Sequence, residues 1–466
     1  MIRSPEARLW VGLGALAMVF CGACGTTRDT TTSPGWGDPE GGSSIERDAG
    51  GAGAGGGGGG LDLPASEDAR AADEVSDAGE PVGEVADTGS FGGAPAAALP
   101  SGPPARGAEL ARFHAALRAL EQGARARHVR VSWLGDSHAQ ADFWTGTLRT
   151  HLQKRFGNGG PGFVHIGFKN YRHNGVLATV NGKWKLRPKA PSSQKPFGDG
   201  IFGLGGVLTS GYDEGPRASL DVTDTSLTSK LFVDVCYRLP EDTDTAAVTV
   251  TGSRRVNLKA TAAEPPGKLR HLLLESDVPA KIDVLPTSGR PEFCGVVIET
   301  DPSAKPGVVL DTLGLNGARY STALAWNEAS WGAELARREP DLVVLEYGTN
   351  EAGDHNTSPS VYGQRLIALV SRIRKVKPDV DIVIVGPSDR ADTEPRIPPI
   401  RDALRDAAAK SGCWFWDTYS AMGGQGSMRV WRDDAPPRAA KDGIHLLIRG
   451  YRELGDRLFA DLMQGY

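Results

Sequence analysis

The stretch Val129-Arg-Val-Ser-Trp-Leu-Gly-Asp-Ser-His138 decides how the rest of the chain reads. Val129–Leu134 is a largely apolar run of strand length closed by Gly135, the pattern of a buried strand. Gly135-Asp136-Ser137-His138 follows at once, so Ser137 falls at a strand's carboxyl end, where open α/β sheets place their sites. By itself Gly-Asp-Ser is weak evidence, because a turn that caps the next helix uses the same residues.

Working outward, Leu110, Phe113, Leu117 and Leu120 recur at helical spacing from Glu109 onward. Leu342–Leu345 and Ile382–Val385 read as parallel core strands with the helical pattern Val361–Val376 between them, and Trp414–Trp416 as a shorter strand. Tyr451, Leu454, Leu458 and Leu462 close the chain as an amphipathic helix. Strands alternating with helices predict an α/β fold on a doubly wound parallel sheet.

The region 195–303 has another rhythm. Leu231, Val233, Val235, Tyr237 and Leu239 alternate with other residues, and Val248/Val250, Val256/Leu258 and Ile282/Val284 follow between Gly, Pro, Asp and Ser breaks. This predicts an inserted antiparallel β-sandwich, expected to begin and end beside the site because it separates Ser137 from Gly317.

Three later blocks raise the weight of Ser137. Gly317, in Leu313-Gly-Leu-Asn-Gly-Ala318, follows the strand-like Val308–Leu313, and Asn350, in Tyr347-Gly-Thr-Asn350, follows Leu342–Leu345. Both fall on the same sheet edge as Ser137 and supply the N–H donors that a tetrahedral oxyanion requires. Asp442-Gly-Ile-His445 stands in a loop before the last helix, a spacing that lets the carboxylate hold the imidazole while its other nitrogen faces the serine. Asp433 and Asp434 are poorer alternatives for the acid and read as surface charges.

In this order the four blocks resemble the SGNH/GDSL hydrolase family, over about 129–175 and 308–464. The resemblance implies a serine esterase on an SGNH-type doubly wound sheet, with Ser137, Asp442 and His445 as the catalytic triad. Ser137, Gly317 and Asn350 would form the oxyanion hole, with Gly314 as the alternative to Gly317. His138 replaces the leucine of the commonest first block and is expected to pack. No G-x-S-x-G elbow occurs, which argues against the α/β-hydrolase fold. Within the family, residues 135–163, the Gly-Leu-Asn-Gly-Ala block and the β-rich insertion are most similar to bacterial envelope peptidoglycan O-acetylesterases. That likeness implies acetyl esters of a polysaccharide or of peptidoglycan as substrate. An O-acetyltransferase, or a glycan-binding lipoprotein with a relic site, are the competing readings.

Other signals set the setting. Arg3 and Arg8 precede the apolar run Leu9–Phe20, too short to span a bilayer and of signal-peptide length. Gly22-Ala23-Cys24 resembles a lipobox, which makes Cys24 the lipidation site and the membrane contact of an exported, envelope-bound protein. The segment 25–106, with Gly-Ala-Gly-Ala-Gly-Gly-Gly-Gly-Gly-Gly at 51–60, has too few large apolar residues to offset its ordering entropy. The expected organisation is a signal peptide at 1–24, a disordered tether at 25–106, a hydrolase domain at 107–194 and 304–466, and a carbohydrate-binding-like β-sandwich at 195–303. A net charge of −5 argues against nucleic acid. The nine histidines include no H-E-x-x-H and the cysteines no metal spacing, so neither metal nor cofactor is expected. Cys236 and Cys294 are candidates for a disulfide in an oxidising compartment. Gly157–Gly162 satisfies G-x-G-x-x-G but follows a helical segment, and reads as a turn near the active-site rim. Trp133, Trp144, Tyr171 and Trp184 read as core aromatics before sugar platforms.

Overall fold

β1 (Val129–Gly135) is the pivot of the molecule. The computed structural model describes residues 109–466 except Asn170 and Pro265, so the expected signal peptide, Cys24 and the tether 25–106 lie outside the described residues. Ahead of β1 comes α1 (Ala111–Glu121), and after it α2 (Ser137–Gln140) and α3 (Trp144–Phe156). Then follow β2 (Gly162–Val164), β3 (Val176–Arg187), β4 (Leu208–Val222), β5 (Leu231–Arg238), β6 (Thr245–Val250), β7 (Val256–Lys259), β8 (Leu269–Ser276), β9 (Lys281–Ser288) and β10 (Glu292–Thr300). The chain continues with β11 (Val308–Gly314), α4 (Tyr320–Leu324), α5 (Glu328–Arg338), β12 (Leu342–Glu346), α6 (Pro359–Val376) and β13 (Asp381–Val385). It ends with α7 (Ile397–Lys410), β14 (Trp414–Trp416), α8 (Thr418–Met422), α9 (Ser427–Asp433) and α10 (Ile448–Leu462).

Five strands form an all-parallel sheet in the order β11-β1-β12-β13-β14. The strands are buried on both faces and their residues alternate between two cores, as the period of two demands. Val131, Trp133, Val344 and Val383 join Phe113, Leu152 and Leu454 on the face covered by α1, α3 and α10. Leu134, Val343, Leu345 and Ile384 join Leu335, Leu369 and Leu404 on the face covered by α5, α6 and α7. The order reverses between β1 and β12, and the crevice outside the carboxyl ends of those two strands is where a doubly wound sheet holds its ligand.

The antiparallel strands form a second sheet, ordered β7-β6-β9-β4-β10-β5-β8, with β2 on β10 and β3 on β4. Its long strand β4 pairs with β10 at Thr209 and with β9 over Ala218–Asp221. The far ends return to each other where Ser276 Oγ bonds Thr251 O at 3.2 Å. The sheet thus curls over its own core of Leu220, Val233, Val248, Ile282 and Phe293 as a sandwich.

Two expectations need correction. The antiparallel unit does not start at 195, since β2 and β3 already belong to it. β3 is an edge strand, partly exposed on both faces, so it lacks the apolar alternation that marks its neighbours. Nor do both ends of the insertion lie beside Ser137. Asn158 bridges to Val308 at the start of β11, so chain leaves and re-enters the parallel sheet at the edge away from Ser137. The same bridge puts the Gly157–Gly162 turn at that far edge rather than on the active-site rim. The loop after β3 does reach the near edge, with Ser321 Oγ 2.6 Å from Gln194 Oε1 and Thr322 Oγ1 3.0 Å from Ser192 O.

A disulfide joins Cys236 and Cys294 on the paired strands β5 and β10, while Cys413 is free and buried. Arg338 ties the two sheets together, bonding Asp311 of β11 at 2.7 Å and Glu299 of β10 at 2.6 Å.

Candidate active site

β1 delivers Ser137 to the sheet edge as the first residue of α2, with Asp136 as the cap that accepts the His138 N–H at 2.9 Å. The loop before α10 brings in the other two members. His445 Nε2 lies 2.8 Å from Ser137 Oγ, and His445 Nδ1 lies 2.7 Å from Asp442 Oδ2. Asp442 Oδ1 also accepts the N–H groups of Ile444 at 2.9 Å and His445 at 3.0 Å, which fixes the loop around its own carboxylate. Burial pushes Asp442 up, but the His445 hydrogen bond and charge and these two N–H groups outweigh it and hold the carboxyl at about 2. A hydroxyl, an imidazole and an ionised carboxylate in one hydrogen-bonded line form the arrangement that activates an alcohol as a nucleophile.

Gly317 has φ +74 in the turn after β11, and its N–H, like that of Ser137, finds no acceptor among the described residues. Gly314 is different. It pairs with Gly135 in the β1–β11 ladder, and a Cβ there would sit 2.4 Å from the backbone N of Gln140, so its bare backbone admits α2. Asn350 follows β12 at the opposite side of the crevice. Both of its amide hydrogens are engaged, by Asp136 Oδ2 at 3.0 Å and Ala318 O at 3.1 Å.

His138 is buried, 2.9 Å from the Tyr451 hydroxyl, and packs against the His445 ring at 5.5 Å between centroids. Burial and then the positive field of His445 lower it to about 3, so it stays a neutral packing residue. Asp433 and Asp434 pair with Arg432 and Arg438 instead of His445. Trp133, Trp144, Tyr171 and Trp184 are all buried. Among the described residues Cys236, His271 and Glu334 bring three ligand-type atoms within 4.8 Å, but the sulfur is committed to the disulfide.

The sequence reading missed three residues that shape the crevice. Glu346, the last residue of β12, accepts the Asp136 N–H at 3.1 Å. Burial, with the adjacent Asp136 carboxylate, holds Glu346 well above the ordinary glutamate range, and burial likewise raises Asp136 to about 6. Glu351 accepts the N–H groups of Gly348 at 2.9 Å and Tyr320 at 3.1 Å, and burial raises it to about 7. Arg319 spans the two donor turns, with Nη1 2.9 Å from Gly317 O and Nη2 3.0 Å from Asn350 O.

Residues 297–453 match the model of the GDSL-like Lipase/Acylhydrolase family. The chain is a carboxylic ester hydrolase, and over this segment it resembles the SGNH/GDSL type. More particularly, it is similar to a solved peptidoglycan O-acetylesterase, at 28% identity over 75% of this chain and 95% of that one, with a TM-score of 0.63. Further matches are an acetyl xylan esterase (15% identity, 34% of this chain and 82% of that one, TM-score 0.27). A family two carbohydrate esterase from Clostridium thermocellum in complex with cellohexaose also matches (13% identity, 61% of this chain and 97% of that one, TM-score 0.26). No curated protein matches the chain.

Proposed function

We propose that this esterase removes O-acetyl groups from a cell-envelope glycan, with peptidoglycan as the first candidate, by way of an acyl-enzyme on Ser137. The observation that carries the mechanism is the continuous line Ser137 Oγ, His445 and Asp442, with separations of 2.8 and 2.7 Å. His445 takes the hydroxyl proton as Ser137 attacks the acetyl carbonyl, and Asp442 stabilises the imidazolium. The N–H groups of Ser137 and Gly317 receive the oxyanion, joined by Asn350 once one of its hydrogens turns from its present acceptor. His445 then returns the proton to the leaving sugar oxygen, and water, activated the same way, releases acetate. The match to a peptidoglycan O-acetylesterase supports the choice of ester. Export and tethering through lipidated Cys24 would put the enzyme in the cell envelope where such a glycan lies.

Acetate release from a panel of acetylated polymers tests the substrate, and labelling by a fluorophosphonate tests the nucleophile. Ser137→Ala is expected to abolish labelling and lower turnover by roughly 10⁴- to 10⁶-fold. Release of acetylated sugar in place of free acetate, given a glycan acceptor, would move the assignment to acetyl transfer.

A further inference from the structure

A groove of ≈ 400 Å³ opens beside α2, between α3 and α10, with Phe143, Thr147, His151, Arg172, Arg452 and Asp456 among its walls. Its acids are already satisfied. Asp142 is bound by Arg149, and Asp456 Oδ1 lies 2.6 Å from His151 Nε2. Its two remaining cations are not. Among the described residues no carboxylate comes within 4.0 Å of the Arg172 or Arg452 guanidinium.

Arg172 is fixed in place without an anion. Its Nη1 donates to Ala141 O at 2.9 Å, and its Cζ lies 4.1 Å over the Phe143 ring. Phe143 stacks on Tyr451, whose hydroxyl bonds His138, the neighbour of Ser137. Arg172 and Arg452 both line the groove, and desolvation, opposed by Asp142 and aided by the charges of Arg149 and Arg452, lowers the proton affinity of Arg172. Two guanidinia on one groove with no carboxylate partner give it a positive field that favours an anion. Ala141 stands one short helix from Ser137, roughly 6 Å along the axis at about 1.5 Å per residue. The groove wall is thus continuous with the Ser137 turn through Phe143, Tyr451 and His138, so its anion belongs to a polymer held at the same site.

We propose that this groove is an anionic subsite that takes a substrate carboxylate, so that the enzyme selects acetyl groups on an acidic glycan. This rests on the esterase reading above and narrows its substrate class. A planar guanidinium fork matches a carboxylate, and the two acids in the groove disfavour a dianionic phosphate.

The test has a binding arm and a kinetic arm, both on the full chain. With Ser137→Ala protein, titration by NMR or calorimetry compares N-acetylmuramic acid, its carboxamide and inorganic phosphate. The acid is expected to bind at least tenfold more tightly than the other two, and Arg172→Gln and Arg452→Gln should each shrink that preference. Arg452 is on an exposed helix face, so its variant carries the test if Arg172→Gln fails to fold. In the kinetic arm, wild type should show a lower KM on an acetylated glycan with free carboxylates than on the same glycan after amidation. Equal binding of acid and amide, tighter binding of phosphate, or a preference that survives both substitutions overturns the proposal. If no glycan ester is hydrolysed but the acid is still preferred, the esterase substrate reading fails and the subsite stands. If deacetylation proceeds without any preference, only the subsite fails.

Discussion

Asn350 Nδ2 lies 3.0 Å from Asp136 Oδ2, so the amide expected to receive the oxyanion is held by the buried acid of the Gly-Asp-Ser turn itself. The contact joins the ends of β1 and β12 across the switch point and, with Ala318 O, occupies both amide hydrogens. A third acceptor, the oxyanion, must then share its hydrogens.

The consequence for Asn350→Ala is a fall in kcat of about 10²- to 10³-fold, the usual effect of losing one oxyanion donor. KM should move far less, because the interaction strengthens only as charge develops. Steady-state kinetics on a small acetyl ester reads this directly. A folded variant with kcat within fivefold of wild type would remove Asn350 from the oxyanion hole.

Glu346 leads to a prediction about stability and pH. Its ordinary value is 4.5, and burial beside Asp136 raises it well above that. A carboxyl raised on folding binds more protons in the native state, so its contribution is full below about 4.5 and is lost as pH rises toward the folded value. Glu346→Gln keeps a neutral, hydrogen-bonding side chain and escapes that loss. Urea midpoints should therefore show the variant gaining on wild type as pH goes from 5 to 8. A gap that stays constant or reverses would mean that Glu346 is not protonated in the native protein.

These residues also show where a sequence stops being readable. Ser137, Asp442 and His445 were visible because each sits within a short block whose spacing itself places the side chains, as the Asp442 Oδ1 to His445 N bond of 3.0 Å illustrates. The parallel strands were visible because burial on both faces demands unbroken apolar runs such as Leu342–Leu345. Glu346 ends such a run, and nothing local distinguishes a solvated strand end from an acid wedged under a neighbouring turn. β3 escaped for the converse reason, since an edge strand exposed on both sides keeps little alternation. Arg319 bridges carbonyls that lie 33 positions apart, at Gly317 and Asn350, and such a contact exists only once the sheet has formed.

Arg319 is expected to act as a positioning residue. Its guanidinium holds the Gly317 and Asn350 turns at a fixed separation, and a lysine ammonium, a compact point charge, does not span both carbonyls. Arg319→Lys and Arg319→Ala should each lower kcat by roughly one to two orders of magnitude, in line with what a small misplacement costs. KM for a small ester should change less than threefold, whereas a merely structural defect would lower thermal stability and both constants together. Full activity in Arg319→Lys would show that charge alone suffices.

The last prediction concerns the disulfide. Cys236 and Cys294 are 58 residues apart in sequence, so their bond closes a long loop in the unfolded chain. Chain-entropy arguments assign such a closure about 4 kcal/mol. Both cysteines are buried in the core that includes Phe163, Leu204 and Leu313, at the junction of the two sheets. Replacing both by alanine removes the cross-link together with its packing, and should lower the melting temperature by about 5–10 °C. Reduction of the wild type should give a similar loss. Because neither sulfur touches Ser137, His445 or Asp442, the rate on a small acetyl ester at 25 °C should stay within twofold while the fold holds. A melting temperature unmoved by reductant, in protein whose thiols are shown to be free, would mean that the β5–β10 pairing and its core already constrain this segment without the bond.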